Sequence, residues 1–215
     1  MPSQFRRGAL VTLEGGEGSG KSSQAEALAA LMRTQDYTVT LTREPAGTEV
    51  GRTVMATFQQ KVPVTPETEL LLFEAARAQN VGEVIRPALE RGSVILCDRY
   101  TDSTLAYQGY GRGLNLDHIR AINHIATGGL APHFTILLDV PPETGLARKD
   151  HRSTLGRDDS IGGEPLAFHQ RVRQGFLELA QLEPQRIVVV DASLPLEEVT
   201  NAAWQHLQLF LHRIE

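Results

Sequence analysis

Residues 15–22 read Gly-Gly-Glu-Gly-Ser-Gly-Lys-Ser and match the pattern G-x-x-x-x-G-K-[ST], the P-loop. An apolar run at 9–13 precedes this segment, and a helical pattern at 20–34 follows it. Glycines let successive backbone N–H groups face inward, and the first turn of the next helix adds the positive end of its dipole. A flexible glycine hairpin is the alternative interpretation. The strand before the loop and the helix after it favour a cradle for the phosphates of a nucleoside triphosphate.

The residues of this cradle have distinct expected roles. We expect the triphosphate to be bound by Gly15, Gly16, Glu17, Gly18, Ser19, Gly20, Lys21 and Ser22. Lys21 can reach the β- and γ-phosphates, and the Ser22 hydroxyl can ligate Mg²⁺. Asp98 follows an apolar run at 93–97, where a carboxylate at a strand tip can hold the magnesium shell. A helix N-cap is the alternative role for Asp98, but Arg99 directly after it favours the metal role.

Short apolar runs rich in β-branched residues alternate with helical patterns along the chain. The runs lie at 9–13, 38–41, 93–97, 134–138 and 187–190, and the helical patterns lie at about 20–34, 49–59, 66–90, 115–127, 142–152, 164–182 and 196–212. Most runs are continuous rather than alternating, as is typical of strands that are covered on both faces. This order predicts a three-layer α/β fold with a parallel sheet flanked by helices.

No composition shift or linker divides the chain, so we expect residues 1–215 to form a single domain. Residues 151–163 are rich in glycine and charge, and they predict a mobile flap at about 148–163. The helix at 66–90 is apolar on more than one side. Its second apolar side can pack against another subunit or deep within a monomer.

The composition restricts the partners of the protein. The 215 residues carry 21 Lys and Arg against 26 Asp and Glu, a formal net charge of −5, so a binder of duplex nucleic acid is disfavoured. No apolar run approaches the roughly 18 residues that a membrane span needs, and the first residues do not read as a signal peptide. The single cysteine, Cys97, lies in an apolar run and is interpreted as a packed core thiol. We therefore expect a cytoplasmic protein.

Several arginines lie at predicted strand ends or beside aromatic residues. Arg43 ends the second strand, Arg99 follows the third, and Phe73 lies four residues before Arg77 on one helix face. This set suits a planar base stacked on Phe73 and hydrogen-bonded by Arg77, with its phosphate held by Arg43 and Arg99. Solvated arginines and a core phenylalanine are the alternatives for each residue taken alone.

Six segments together resemble the thymidylate kinase (dTMP kinase) family. They are Leu-Glu-Gly at 13–15, Thr-Arg-Glu-Pro at 42–45, Phe-Glu-Ala-Ala-Arg at 73–77, Asp-Arg-Tyr at 98–100, Ala-Tyr-Gln-Gly at 106–109 and Leu-Asp-Val at 138–140. The resemblance runs in order from about residue 8 to 200. It implies a five-stranded parallel sheet wrapped by helices, in the P-loop NTPase fold, and a homodimer formed through helices. The implied reaction transfers the γ-phosphoryl group of ATP to dTMP.

The resemblance also implies roles for individual residues. Phe73 would stack on thymine, Arg77 would read a base carbonyl, and Arg43 and Arg99 would bind the dTMP phosphate. Thr104 and Gln108 would lie near the base, Tyr107 would lie under the sugar, and Glu17 would accept a hydrogen bond from the 3′-hydroxyl.

The bacterial branch of the family lacks an arginine after the acid of its P-loop, and the flap supplies basic residues instead. Here Gly18 follows Glu17, and the flap region offers Arg148, Lys149, Arg152 and Arg157. We expect Arg152 or Arg157 to act on the transferring phosphoryl group.

Two other functions remain open from the sequence. A kinase of another nucleoside monophosphate, or of a deoxynucleoside, would carry a similar P-loop and Asp98-Arg99 pair. A nucleotide-dependent regulatory protein without a phosphoryl acceptor is the second, although it would have no use for another anion site.

Overall fold

The computed structural model describes residues 8–60, 62–153 and 163–214, and it describes residues 152 and 153 by their backbone alone. Its strands are β1 (Ala9–Glu14), β2 (Val39–Arg43), β3 (Val94–Asp98), β4 (Phe134–Asp139) and β5 (Ile187–Asp191). They form one sheet in the order β2-β3-β1-β4-β5, and every neighbouring pair is parallel. The predicted five-stranded parallel sheet is confirmed.

Helices connect the strands and cover the sheet. They are α1 (Lys21–Thr34), α2 (Glu49–Gln59), α3 (Pro66–Asn80), α4 (Arg86–Glu90), α5 (Thr101–Thr104), α6 (Leu116–Thr127), α7 (Pro142–Ser153), α8 (Leu166–Leu182) and α9 (Leu196–Ile214), with π-helical segments at Val81–Ile85 and Leu105–Gly111. The helix predicted at 66–90 is therefore α3, a π-helical segment and α4 in succession. In the part of the chain that the structure describes, no helix combines the length and apolarity needed to cross a membrane.

The central strand β1 is buried along its whole length. Val11 and Leu13 belong to a core cluster with Leu28 of α1, whereas Leu10 packs in a separate cluster with Ile85. Successive strand residues point to opposite faces, so both faces of β1 pack in the core and even its polar residues, Thr12 and Glu14, are buried. The loop that leaves the carboxyl end of β1 is consequently anchored in the centre of the molecule.

The helical segment at 101–111 was absent from the sequence predictions. Tyrosine and glycine residues in this stretch have low helix propensity, and the segment combines only one α-helical turn with a π-helical segment. Tertiary packing against α8 stabilises it, since Phe176 of α8 packs edge-on to the Tyr107 ring at 6.2 Å between centroids. π-Helical segments occur often at functional sites, and this one carries Tyr107 and Gln108.

The predicted flap lies only partly within the described residues. Residues 148–153 form the end of α7, and residues 154–162 lie outside them. Arg148 donates to the carbonyl oxygens of Ala192 and Ser193 at 2.7 and 3.1 Å. This arginine therefore links α7 to the loop after β5.

Candidate functional site

The loop after β1 has the backbone geometry of an anion cradle. Gly15, Gly18 and Gly20 adopt φ angles of 140°, 65° and 90°, which glycine reaches without steric cost. Lys21 folds over this loop, and its Nζ donates to the carbonyl oxygens of Gly16 and Gly15 at 2.7 and 3.1 Å. Burial and the neighbouring Arg99 charge lower the pKa of Lys21 to about 8. The lysine lies where it can exchange these carbonyls for phosphate oxygens.

Ser22 and Asp98 provide two hard oxygen ligands side by side. The Ser22 hydroxyl donates to Asp98 Oδ2 at 2.5 Å, and the register of β1 with β3 places Asp98 opposite Leu13. The described residues contain no group of three His, Cys, Asp or Glu side chains that could hold a metal. Mg²⁺ needs no such group, because it keeps several waters and takes its other ligands from phosphates. A hydroxyl and a carboxylate beside a phosphate cradle fit this ion.

Arg99 lies between the cradle and the neighbouring cleft. Its Nη2 donates to Glu17 Oε1 at 2.9 Å, and the Tyr107 hydroxyl donates to the same oxygen at 3.0 Å. The guanidinium also stacks over the Tyr107 ring at 4.9 Å from its centroid. Burial alone would raise the pKa of Glu17, but Arg99 and Lys21 lower it to about 2. Glu17 is consequently an ionised acceptor at neutral pH.

Glu14, to which the sequence analysis gave no role, holds the backbone that presents Arg99. Arg99 adopts a φ of 70°, a conformation that is rare for a residue with a side chain. The Glu14 carboxyl accepts hydrogen bonds from the Tyr100 N–H at 2.7 Å and the Ser103 hydroxyl at 2.5 Å. Burial and the charge of Asp102 raise the pKa of Glu14 to about 8. The motif Leu-Glu-Gly thus contributes a buried anchor for the turn after β3.

A cleft opens beside the cradle. Of the predicted acceptor residues, Glu17, Phe73, Arg77, Arg99, Thr104, Tyr107 and Gln108 line it. The cleft is also lined by residues without a predicted acceptor role, namely Glu44, Pro45, Met55, Glu69, Ser103, Arg112, Glu164, Phe168 and His169. Arg43 is exposed and is not among the described lining residues. Its predicted role at the phosphate stays a prediction.

Arg77 is 3% exposed and is held by polar groups from five elements or loops. Its Nε donates to Glu44 Oε2 at 2.8 Å, and its Nη1 contacts Glu74, Thr104 Oγ1 and Asn123 Oδ1. Its Nη2 donates to the Tyr100 carbonyl oxygen at 2.9 Å. In the described part of the chain these contacts leave one Nη2 hydrogen for a ligand. Arg77 therefore joins several elements around the cleft through buried hydrogen bonds, and it is also a candidate for hydrogen bonding to a base.

Phe73 forms an aromatic wall of the cleft. Its ring stacks on Phe58 of α2 with centroids 5.0 Å apart and planes inclined by 24°. Aromatic pairs in this geometry stabilise each other beyond their buried area. The α2–α3 contact thus fixes the plane in which a base can stack.

The predicted flap residues are placed only in part. Arg157 lies outside the described residues, as does the Arg152 side chain. Lys149 is half-buried on α7, and its charge lowers the pKa of Glu17, with a smaller effect than Arg99 and Lys21. The roles expected for Arg152 and Arg157 stay predictions.

The cradle packs against the start of α7 through two glycines. A Cβ on Gly145 would overlap the Glu17 carbonyl oxygen, and a Cβ on Gly18 would overlap the Gly145 carbonyl. Gly145→Ala is therefore expected to displace the loop and to weaken the binding of ATP by at least about tenfold. Titration calorimetry measures this affinity. Gly82→Ala is the matched control, because a Cβ there meets nothing within 4 Å; equal ATP affinity of the two variants would contradict the prediction.

A triphosphate cradle that shares Glu17 and Arg99 with an aromatic, arginine-lined cleft defines a P-loop kinase of small phosphate-bearing acceptors. A model of the thymidylate kinase family matches residues 13–203. The chain belongs to the thymidylate kinase family.

Similar proteins support this membership over nearly the whole chain. The thymidylate kinase of Synechococcus sp. (strain JA-2-3B'a(2-13)) is 52% identical over 195 residues, which cover 91% of this chain and 92% of that protein. The thymidylate kinase of Deinococcus radiodurans is 50% identical over 199 residues, covering 92% and 95%. A crystal structure of thymidylate kinase from Ehrlichia chaffeensis superposes with a TM-score of 0.76 at 30% identity, covering 93% of this chain and 98% of that one. The resemblance inferred from the six segments is confirmed.

Proposed function

We propose that this protein transfers the γ-phosphoryl group of ATP to dTMP and releases dTDP and ADP. The observation that carries the proposal is the contact between Arg99 and Glu17, which joins the phosphate cradle to the cleft that Phe73 and Arg77 line. Family membership favours this acceptor over another nucleoside monophosphate or a deoxynucleoside. It also disfavours a regulatory protein without an acceptor.

The reaction needs cations and alignment rather than a general base. The second pKa of a phosphate monoester is about 6, so the acceptor is largely a dianion at neutral pH. The barrier lies in bringing two anions together in line. Lys21, folded over the loop at 2.7 Å from the Gly16 carbonyl oxygen, supplies charge on the donor side. Arg99 supplies it from the acceptor side.

The cleft residues divide into a base end and a phosphate end. We assign stacking on thymine to Phe73, contact with a base carbonyl to Arg77, and positions beside the base to Thr104 and Gln108. Tyr107 lies under the sugar, and Glu17 accepts from the 3′-hydroxyl. Arg99, with Arg43 as a second candidate, binds the dTMP phosphate.

We propose Mg²⁺ as the cofactor, held by Ser22 and Asp98. The ion would neutralise charge on the phosphates as they react. The 2.5 Å contact between the two side chains supports a shared ligand set. Burial of Asp98, which is 8% exposed, keeps its carboxylate directed at the cradle.

The remaining proposals concern assembly and location. We propose a single domain over residues 1–215 whose flap, at about 148–163, supplies Arg152 or Arg157 to the transferring group. We propose a homodimer formed through helices, which Leu71 on α3 supports because it is 56% exposed. We place the protein in the cytoplasm, away from membranes and nucleic acid. The single buried cysteine suits that reducing compartment.

Turnover of dTMP with ATP tests the proposed function, and Phe73→Ala tests the base end of the cleft. Loss of base stacking is expected to raise KM for dTMP roughly tenfold, while KM for ATP changes less than about twofold. A coupled ADP-release assay measures both constants. Gln79→Ala, at an exposed position on the same helix, is the control. An unchanged KM for dTMP in Phe73→Ala would place the base elsewhere, and no turnover of dTMP by the wild type would refute the function.

A further inference from the structure

Gln108 is a buried amide at the base end of the cleft. It is 3% exposed, it lines the cleft together with Phe73 and Arg77, and it lies on the π-helical segment at Leu105–Gly111. An amide side chain can present either a donor or an acceptor to a ligand. Which of the two it presents determines the bases that the cleft accepts.

A buried carboxylate fixes the orientation of this amide. Gln108 Nε2 donates to Glu69 Oε1 at 2.8 Å, and Glu69 is 6% exposed on α3. An ionised carboxylate has only acceptors, so the NH₂ group of Gln108 must face Glu69. The reversed amide would set two acceptors against each other in a buried site, which is costly. The hydrogen bond to Glu69 therefore fixes the orientation of the Gln108 amide.

Arg112 holds Glu69 in place through an ion pair with two hydrogen bonds. Its Nε and Nη2 donate to the two Glu69 oxygens at 3.1 and 2.9 Å, and its Nη1 donates to Glu164 Oε1 at 2.6 Å. The guanidinium also lies over the Phe168 ring at 4.8 Å. A planar fork with two bonds to one carboxylate is geometrically specific. Neither Glu69 nor Arg112 can rotate away without breaking several of these contacts.

We propose that Glu69 and Arg112 are specificity-determining positioning residues that act through Gln108. They turn the amide so that its carbonyl oxygen faces the cleft and accepts a hydrogen bond from the N3–H of the base. Thymine carries that donor, whereas cytosine has an unprotonated N3 and would oppose two acceptors. This inference rests on the proposed function, because it places the base of dTMP beside Gln108.

The test compares dTMP with 5-methyl-dCMP, whose base keeps the methyl group and differs at N3 and C4. Glu69→Gln allows the facing amide to present either atom, so Gln108 can reverse. We expect the ratio of kcat/KM for dTMP to kcat/KM for 5-methyl-dCMP to fall at least about tenfold in this variant. Glu183→Gln is the matched control. It makes the same chemical change beside an arginine, Arg186, which pairs with Glu183 at 2.7 Å. Glu183 is not among the described residues that line the cleft, so the ratio in this control should stay within about twofold of the wild type.

The outcomes separate the inference from the proposed function. An unchanged ratio in Glu69→Gln, or an equal fall in Glu183→Gln, overturns the inference even when the wild type phosphorylates dTMP. A wild type that does not phosphorylate dTMP overturns the function as well. Gln108→Leu covers the case in which Glu69→Gln fails to fold, because it removes the amide and leaves the Glu69–Arg112 pair intact. Full discrimination against 5-methyl-dCMP in Gln108→Leu overturns the inference, and a fall of at least about tenfold supports it.

Discussion

Lys21→Met is expected to lower kcat about a thousandfold while the protein remains folded. The lysine ammonium lies over the loop after β1, at 2.7 Å from the Gly16 carbonyl oxygen and 3.2 Å from Ser19 Oγ. Methionine fills a similar volume without the charge, so the cradle keeps its shape and loses a preorganised cation. A group of this kind stabilises the transition state more than the ground state, so kcat falls more than ATP affinity does.

Steady-state kinetics with dTMP and ATP measure the loss in Lys21→Met, and thermal unfolding checks the fold. Arg33→Met provides the control, because Arg33 is an exposed cation in the last turn of the same helix α1. We expect that variant to keep kcat within about twofold of the wild type. A Lys21→Met enzyme with more than about a tenth of wild-type kcat would mean that Lys21 does not act on the transferring group.

Arg77→Met is expected to destabilise the protein by about 3–5 kcal/mol, because it leaves buried carboxylates without their counter-charge. Arg77 and Glu44 pair at 2.8 Å with side-chain exposures of 3% and 5%, and Arg77 also pairs with the buried Glu74. For a chain of this length the melting temperature should fall by about 10 °C. Differential scanning calorimetry measures this fall. Arg120→Met breaks the exposed pair with Asp117 and should cost less than about 1 kcal/mol.

The destabilisation in Arg77→Met should also depend on pH. Burial raises the pKa of Glu44 above its ordinary value even with Arg77 present, and loss of Arg77 raises it further. Between the pKa of Glu44 in the unfolded chain and its higher pKa in the folded protein, the folded state binds more protons than the unfolded state. The stability of the variant therefore increases as the pH falls through this range. We expect the deficit relative to the wild type to be smaller at pH 5 than at pH 8. A deficit that is constant over this range would show that Glu44 does not carry the cost.

Local sequence patterns predicted the sheet and the cradle because their determinants are local. The P-loop motif needs only eight consecutive positions, and β1 is mostly apolar, with Thr12 as the one polar residue in its run at 9–13, because both its faces are covered. The contacts of Arg77 with Glu44 and Asn123 join positions 33 and 46 residues apart, and Gln108 meets Glu69 across 39. Hydrophobic periodicity does not predict contacts between residues so far apart in sequence. The polar contacts of Arg77 and the Glu69–Arg112 pair could therefore be identified only from the structure.

Glu44 of the Thr-Arg-Glu-Pro motif lines the cleft, although its sequence position predicted no role for it. Thr42 Oγ1 donates to Asn80 Oδ1 at 2.7 Å, and Asn80 Nδ2 in turn donates to Glu44 Oε1 at 3.2 Å. Thr42 and Glu44 therefore both contact Asn80, the last residue of α3. The motif Thr-Arg-Glu-Pro contributes Glu44 and Pro45 to the lining of the cleft, and the role of Arg43 at the phosphate stays a prediction.

The packing of Gly18 on Gly145 restricts how this chain can change in evolution. A side chain at position 18 would require the space of the Gly145 backbone, and a side chain at position 145 would require the space of the Glu17 carbonyl oxygen. An arginine could therefore enter the phosphate loop at position 18 only after the start of α7 had moved outward. Moving a positive charge from the predicted flap to the phosphate loop would therefore require several coordinated substitutions. The intermediate sequences would carry a distorted phosphate loop. A single substitution at position 18 is therefore not expected to replace the basic residues of the flap with an arginine in the phosphate loop.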